Sequence, residues 1–374
     1  MKDERSDTSD AFWDSPIGRR EMLRRSLIGG AGLAGAAFGV YPLLRALAGA
    51  STSQPATGPA ATQPADSSRK GGLDVTFLVA SDLHFGCKAS MATSQGESLR
   101  AVPVEQIHPI LVEQMNQIEG KAYPAEIGGK VGKPLGLVAP GDLTDNGAAD
   151  QWANFVKFYG LTGKDGLLKM PVYETIGNHD TYSLLPIVKE AVRKRHGADC
   201  YGLDWGDLHI ACVGEPDDGC FDWLAKDLAA VGKDRPILCT FHYPPVGPYS
   251  DKWWFGQDDH RNKFAAVLKG YNVIGLIHGH FHGTGCYVWK GYDTYDIGSP
   301  KNAWKDFLVV HVTDKQLTVC AWNYERTPGW WWCHAKPING APDTPDKRIV
   351  KIYDRPGLLV KPVIPYPLFD PTVT

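Results

Sequence analysis

The sequence predicts an α/β fold in which one mixed β-sheet packs on a second sheet with helices outside. Three observations predict it. Short apolar runs alternate with segments of helical spacing from about residue 73 to residue 270. From Tyr287 to Ala321 strand-like runs follow one another more directly, which suits a sheet packed against the first. The 374 residues are 43% hydrophobic and 22% charged, ordinary for a soluble globular chain with one large domain or two small ones.

In order along the domain, Leu73 to Ala80 (LDVTFLVA) reads as a buried strand ending in Ser81-Asp82-Leu83-His84. Phe85 to Pro103 reads as a long polar loop suited to substrate contacts. Val104 to Ile118 has helical spacing through Ile107, Leu111, Met115 and Ile118, and Pro109 places the true start of that helix later. Leu135 to Ala139 is a strand ending in Pro140-Gly141-Asp142-Leu143-Thr144-Asp145, followed by a helix over Ala148 to Tyr159. Pro171 to Ile176 is a strand that delivers Gly177-Asn178-His179-Asp180, and a helix then runs to near Gly197. Strands at Leu208 to Val213, Pro236 to Thr240 and Val273 to Ile277 alternate with helices at Phe221 to Val231 and 261 to 269. The chain after Glu325 is proline-rich and is expected to wrap the surface.

Residues 1 to about 50 read as an export signal. Arg19-Arg20 with Leu23 resembles the twin-arginine type, an apolar Gly/Ala-rich run covers Leu27 to Leu44, and Ala46-Leu47-Ala48 and Ala48-Gly49-Ala50 have cleavage-site spacing. The predicted partner there is the twin-arginine export machinery, and the predicted location is periplasmic or extracellular. An uncleaved anchor is the alternative and the one expected membrane contact, because 18 uncharged residues only just reach across a bilayer of about 30 Å. Residues 51–72 have a flexible linker composition. The catalytic domain is expected over 73–325 and a proline-rich extension packing on it over 326–374.

A net charge of −3 argues against a nucleic-acid-binding surface. The eight cysteines include no C-x-x-C pair, which leaves buried thiols or a few disulfides. Among the twelve tryptophans, Trp253-Trp254 and Trp330-Trp331-Trp332 read as packing, with one of them able to wall a substrate pocket. Lys88, Arg100 and Lys252, and the stretch Pro244 to Asp259 with Tyr249, Trp253 and Trp254, could meet a substrate.

Five successive strand ends carry metal-competent groups: Asp82 and His84, Asp142, Asn178 and His179, His242, then His280 and His282. Buried imidazoles and carboxylates without partners cost several kcal/mol, so a cluster of them calls for a cation. Carboxylate oxygen and imidazole nitrogen suit zinc, iron or manganese. Asp142, after the turn-forming Gly141, is placed to bridge two metals that clamp a phosphoryl transfer.

The ordered series Asp82-x-His84, Gly141-Asp142-x-x-Asp145, Gly177-Asn178-His179-Asp180, His242 and Gly279-His280-x-His282 resembles the calcineurin-like metallophosphoesterase superfamily. The resemblance spans Asp82 to His282 and implies a four-layer α/β/β/α sandwich of two mixed sheets flanked by helices. It implies two metal ions (Mn, Fe or Zn), the first held by Asp82, His84 and His282, the second by Asn178, His242 and His280, with Asp142 bridging. A metal-bridging water would attack phosphorus in a small phosphomonoester or phosphodiester. His179 would face the substrate as a catalytic group, and Asp180 would hold and polarise it. Asp145 reads as a turn cap behind the ligands, and His278 as packing near the site. Purple members have a tyrosine where this chain has Asp145, so an iron–tyrosinate colour is not expected. Two other uses of the fold stay open, a non-catalytic binding protein and a nuclease; the first would be expected to lack some ligands, and the near-neutral charge counts against the second.

Overall fold

The computed structural model describes residues 72–92, 99–214, 216–245, 255, 258–325, 327–340, 343–355, 362 and 364. The expected export signal and all of the expected linker except residue 72 lie outside these, as do Tyr249, Lys252, Trp253, Trp254 and the side chain of Arg100.

Two mixed sheets form the centre. The first has seven strands in the order β15 (Ile349–Ile352), β14 (Gly329–Pro337), β13 (Gln316–Asn323), β12 (Asp306–Thr313), β1 (Asp74–Val79), β4 (Leu137–Pro140) and β5 (Val172–Thr175). Strands β1, β4 and β5 run parallel; the others pair antiparallel. The second has six, in the order β10 (Gly285–Trp289), β11 (Tyr292–Asp296), β9 (Val273–His278), β8 (Ile237–Phe241), β7 (Leu208–Cys212) and β6 (Tyr201–Trp205). Strands β11, β9, β8 and β7 are mutually parallel.

Strand alternation divides the core into three layers, as side chains two residues apart share a face. Val75, Phe77 and Val79 of β1 point between the sheets, with Leu308, Val310, Ile210 and Ile277. Leu78 and Ala80 point the other way, onto helices α1 (His108–Asn116), α2 (Ala149–Tyr159) and α3 (Ile187–His196). Ile237, Cys239 and Phe241 of β8 face α4 (Asp218–Val231) and α5 (Asp258–Leu268). The result is the expected α/β/β/α sandwich. Local signals end these helices: Pro109 lies in the first turn of α1, Gly197 ends α3 at φ 83°, and Asp217 caps α4 by accepting from Cys220 N at 2.8 Å.

Two expectations are corrected. The segment from Phe85 to Pro103 is not all loop; β2 (Lys88–Ala92) and β3 (Leu99–Pro103) pair as a hairpin, on which Lys88 is exposed. The chain beyond Glu325 does not merely wrap the surface. Its prolines flank a proline-free stretch, Gly329 to Lys336, that forms the body of β14 and lies between β13 and β15. A bulge opposite Ala321 and Trp322 places Trp331 as an extra residue, so Trp331 and Trp332 both enter the layer between the sheets. Disulfides join Cys320 to Cys333 across β13 and β14, and Cys200 to Cys220 at the start of α4. Cys87, Cys212, Cys239 and Cys286 are buried thiols.

Trp332 is fully buried. Trp332→Ala is expected to lower the unfolding free energy by about 3–5 kcal/mol, measured by denaturant titration. A loss below about 1 kcal/mol would mean β14 is peripheral after all.

Candidate metal centre

Strands β1, β4 and β5 of one sheet and β8 and β9 of the other end at one edge, and the loops leaving them carry the predicted residues. The turns are unusual. Among the described residues seven non-glycines have positive φ, and five of them are Asp82 (54°), His84 (47°), Asp142 (51°), His280 (71°) and His282 (61°). Each such conformation costs of order 1–3 kcal/mol and is held only where the surroundings over-determine it. Gly141, at φ 92°, fulfils its expected turn role. Gly177 does something else: a Cβ there would lie 2.3 Å from Asp142 Oδ1, so it permits close approach of the β5 turn to Asp142.

The side chains converge in two groups that share Asp142. Asp82, His84, Asp142 and His282 form one and Asp142, His242 and His280 the other, the ligand atoms of each group within 4.8 Å of one another. His84 Nε2 lies 2.9 Å from His282 Nε2, which is 3.2 Å from Asp82 Oδ1. His242 Nε2 lies 3.1 Å from His280 Nδ1 and 3.1 Å from Asn178 Oδ1, so Asn178 completes the second group. Asp142 Oδ1 accepts from His179 N at 2.8 Å. Its Oδ2 is buried without a hydrogen-bond partner, 3.6 Å from His84 Nε2 and 3.3 Å from His242 Nε2.

This arrangement fits cations. His242 Nδ1 donates to the Pro140 carbonyl at 2.9 Å, which turns Nε2 inward as a ligand atom. Ring nitrogens aimed at each other near 3 Å repel unless a proton or metal lies between them. Burial pushes the His84 imidazole down to about 4, and burial with the charge of His242 takes His280 down to about 3, so both are neutral and metal-competent near pH 7. Burial raises Asp142, but His242 outweighs it and holds the carboxylate well below its usual range. Burial likewise opposes ionisation of Asp82, and His282 more than offsets it, bringing the group to about 2.

The two residues assigned to catalysis behave differently. His179 is part-exposed at the rim of the cluster, its ring 4.5 Å from that of His84. The structure corrects the role of Asp180. Asp180 Oδ1 accepts from Thr144 N (2.9 Å) and Thr144 Oγ1 (2.8 Å); Oδ2 accepts from Gly177 N (2.9 Å) and Leu143 N (3.2 Å). It staples the β4 turn to the β5 turn and leaves no oxygen for His179. The reason is local: His179–Thr181 is a 3₁₀ turn, whose successive side chains diverge by about 120°. Burial and then the charge of Asp142 push Asp180 up to about 7.

The group that orients His179 is Asp145. Its carbonyl accepts from His179 Nδ1 at 2.6 Å, leaving Nε2 to face outward. Its Oδ1 lies 3.2 Å from His84 Nδ1, without the alignment of a hydrogen bond, and accepts from Lys301 Nζ at 3.0 Å. His84, Asp145 and His179 thus converge too, but a committed Nδ1–H and an adjacent ammonium make that trio a poor cation site.

Two further neighbours, Tyr182 and Ser299, carry no motif in the sequence. The Tyr182 hydroxyl accepts from Asn178 Nδ2 at 2.5 Å, and its half-exposed ring packs 4.7 Å from His179. Ser299 Oγ donates to the Asp82 carbonyl at 2.6 Å. His278 is buried between Tyr287 and Asp296, consistent with packing beneath the site.

The strand-end carboxylates and imidazoles thus form a candidate metal centre at one edge of a two-sheet sandwich. A family model for calcineurin-like phosphoesterase matches residues 75–284, and the chain belongs to that family. It is 29% identical over 163 residues to a "Probable cyclic nucleotide phosphodiesterase" of Rhodococcus erythropolis; the match covers 40% of this chain and 52% of that protein, about half its length. Among solved structures it is similar to GAP50 of Plasmodium (12% identity, 71% of this chain and 89% of that one, TM-score 0.44). It is also similar to Vps29 of Entamoeba histolytica complexed with zinc (13% identity, 71% and 100%, TM-score 0.35).

Removing the Asp180 side chain would leave buried N–H groups of Leu143, Thr144 and Gly177 without acceptors. Asp180→Ala is therefore expected to lower stability by about 3 kcal/mol or more, read as a fall in denaturant midpoint. Wild-type stability with lost turnover would instead restore Asp180 as the partner of His179.

Proposed function

We propose that the chain is an exported, two-metal phosphoesterase acting on a phosphomonoester or phosphodiester. The observation that carries the reading is the buried, unpartnered Asp142 Oδ2 shared by the two side-chain groups. Asp82, His84 and His282 would hold one cation and Asn178, His242 and His280 the other, with Asp142 shared between them. Manganese, iron and zinc all accept this donor set. When bound, such a pair would supply positive charge to the phosphoryl oxygens and lower the pKa of a water.

The chain's own residues do the rest. Asp145 fixes the tautomer and direction of His179 by taking its Nδ1 proton in a hydrogen bond. His179 Nε2 then stabilises the phosphoryl group or protonates the leaving oxygen. The Asp180 staple keeps the Asp142 and His179 turns in register. Likeness to the Rhodococcus protein over 163 residues supports a phosphodiester among the substrates.

We also propose that residues 1–50 direct export through the twin-arginine route and that residues 51–72 tether the two-sheet domain that follows them. Support comes from the Arg19-Arg20 signal and from the two disulfides, which persist in oxidising compartments.

Purified protein is expected to carry about two metal ions per chain, and Asp142→Asn to abolish hydrolysis of an aryl phosphate while the chain stays folded. Metal analysis with a monoester, diester and cyclic nucleotide panel checks this; full activity in Asp142→Asn overturns it. Replacing Arg19 and Arg20 by Lys is expected to hold the precursor in the cytoplasm, seen by cell fractionation; normal export would refute the route.

A further inference from the structure

We propose that Lys301 is a positioning residue for one half of the metal centre, acting through Asp145 on His84 and His179. The assignment rests on the two-metal reading and adds a residue beyond the matched family region, which ends at residue 284. Lys301 Nζ donates to Asp145 Oδ1 at 3.0 Å. That oxygen is 3.2 Å from His84 Nδ1 and 3.8 Å from His179 Nδ1. Asp145 is 29% exposed, enough for its carboxylate to turn towards water unless something holds it. A carboxylate behind an imidazole sets the ring's orientation and its basicity as a ligand. The opposite ring nitrogen, His84 Nε2, points at His282 and Asp142 inside the cluster.

The loop that carries Lys301 is fastened to the same turn. Ser299 Oγ donates to the Asp82 carbonyl at 2.6 Å and accepts from Lys301 N at 3.0 Å. Ser90 N of the β2 strand donates to the Lys301 carbonyl at 2.8 Å. Lys305 Nζ donates to the carbonyls of Ser90 and Asn302. An ammonium on a loop anchored from both sides, already engaged by a carboxylate, is built to hold that carboxylate. Its influence falls on the Asp82–His84–His282 group. Asn178, His242 and His280 gather with Asp142 in a group that does not include Asp145, and that group is expected to keep its affinity.

The test uses the full chain carrying Lys301→Met, Lys301→Gln or Lys301→Arg, each checked by thermal melting. Manganese binding is titrated into the metal-free protein, and aryl phosphate hydrolysis is measured on the loaded protein. In Lys301→Met and Lys301→Gln one of the two manganese ions should bind about tenfold more weakly, while kcat falls about tenfold with KM within about twofold. Lys301→Arg should restore both to within about threefold, since it keeps the charge. Wild-type affinities and kcat in folded Lys301→Met overturn the assignment alone. So does a rise in KM with kcat unchanged, which would make Lys301 a substrate contact, and so does equal weakening of both ions. A wild-type chain that binds none of manganese, iron and zinc overturns the two-metal reading and this assignment with it.

Discussion

The structure depends on one electrostatic constraint: a buried carboxylate oxygen, Asp142 Oδ2, faces two imidazoles and has no hydrogen-bond donor of its own. Left alone, such a group would cost several kcal/mol. Everything around it is arranged to hold it there. Gly141 lets the backbone turn at positive φ, Gly177 removes a Cβ that would meet the carboxylate, and His179 N secures the other oxygen. Four neighbouring ligand positions adopt left-handed backbone conformations as well. Strain and unmet polarity concentrated in one place, in an otherwise regular sandwich, mark the part of the chain selected for chemistry.

Two aspartates near that centre divide labour by geometry. Asp180 faces inward and joins two strand-end turns; Asp145 faces the rim and serves His84, His179 and Lys301. The first is a structural staple whose burial favours the protonated form, the second a part-exposed carboxylate held well below its usual range by the adjacent His84 imidazole and by Lys301. Fold and reactivity are therefore maintained by different carboxylates, although both lie within a few residues of proposed ligands in sequence.

The far side of the first sheet supplies rigidity. Strand β14 pairs along its length with β13, carries one end of the Cys320–Cys333 disulfide, and places Trp331 and Trp332 between the sheets. The Trp332 indole N–H donates to Thr284 Oγ1 at 2.7 Å, and that hydroxyl donates to the buried Asp306. Residues beyond the catalytic motifs thus brace the loops that follow β9.

Strand–helix order, layered architecture and the metal-competent residues were legible from the residues alone, because each such residue lies directly after an apolar run and strand ends place chemistry predictably. All seven proposed ligands do come together. What it could not carry is any relation that depends on which strands lie side by side. Lys301 reaches Asp145 because β11 runs parallel to β9 and its following loop emerges at the same edge. Prolines after Glu325 concealed β14, because their effect is local while the pairing of β14 with β13 is not. His179 and Asp180 are neighbours in the chain, yet the 3₁₀ turn sends their side chains apart. Residue type and spacing are local properties that a sequence states outright; side-chain direction and partnership depend on backbone torsion and on long-range pairing, which only the tertiary structure decides.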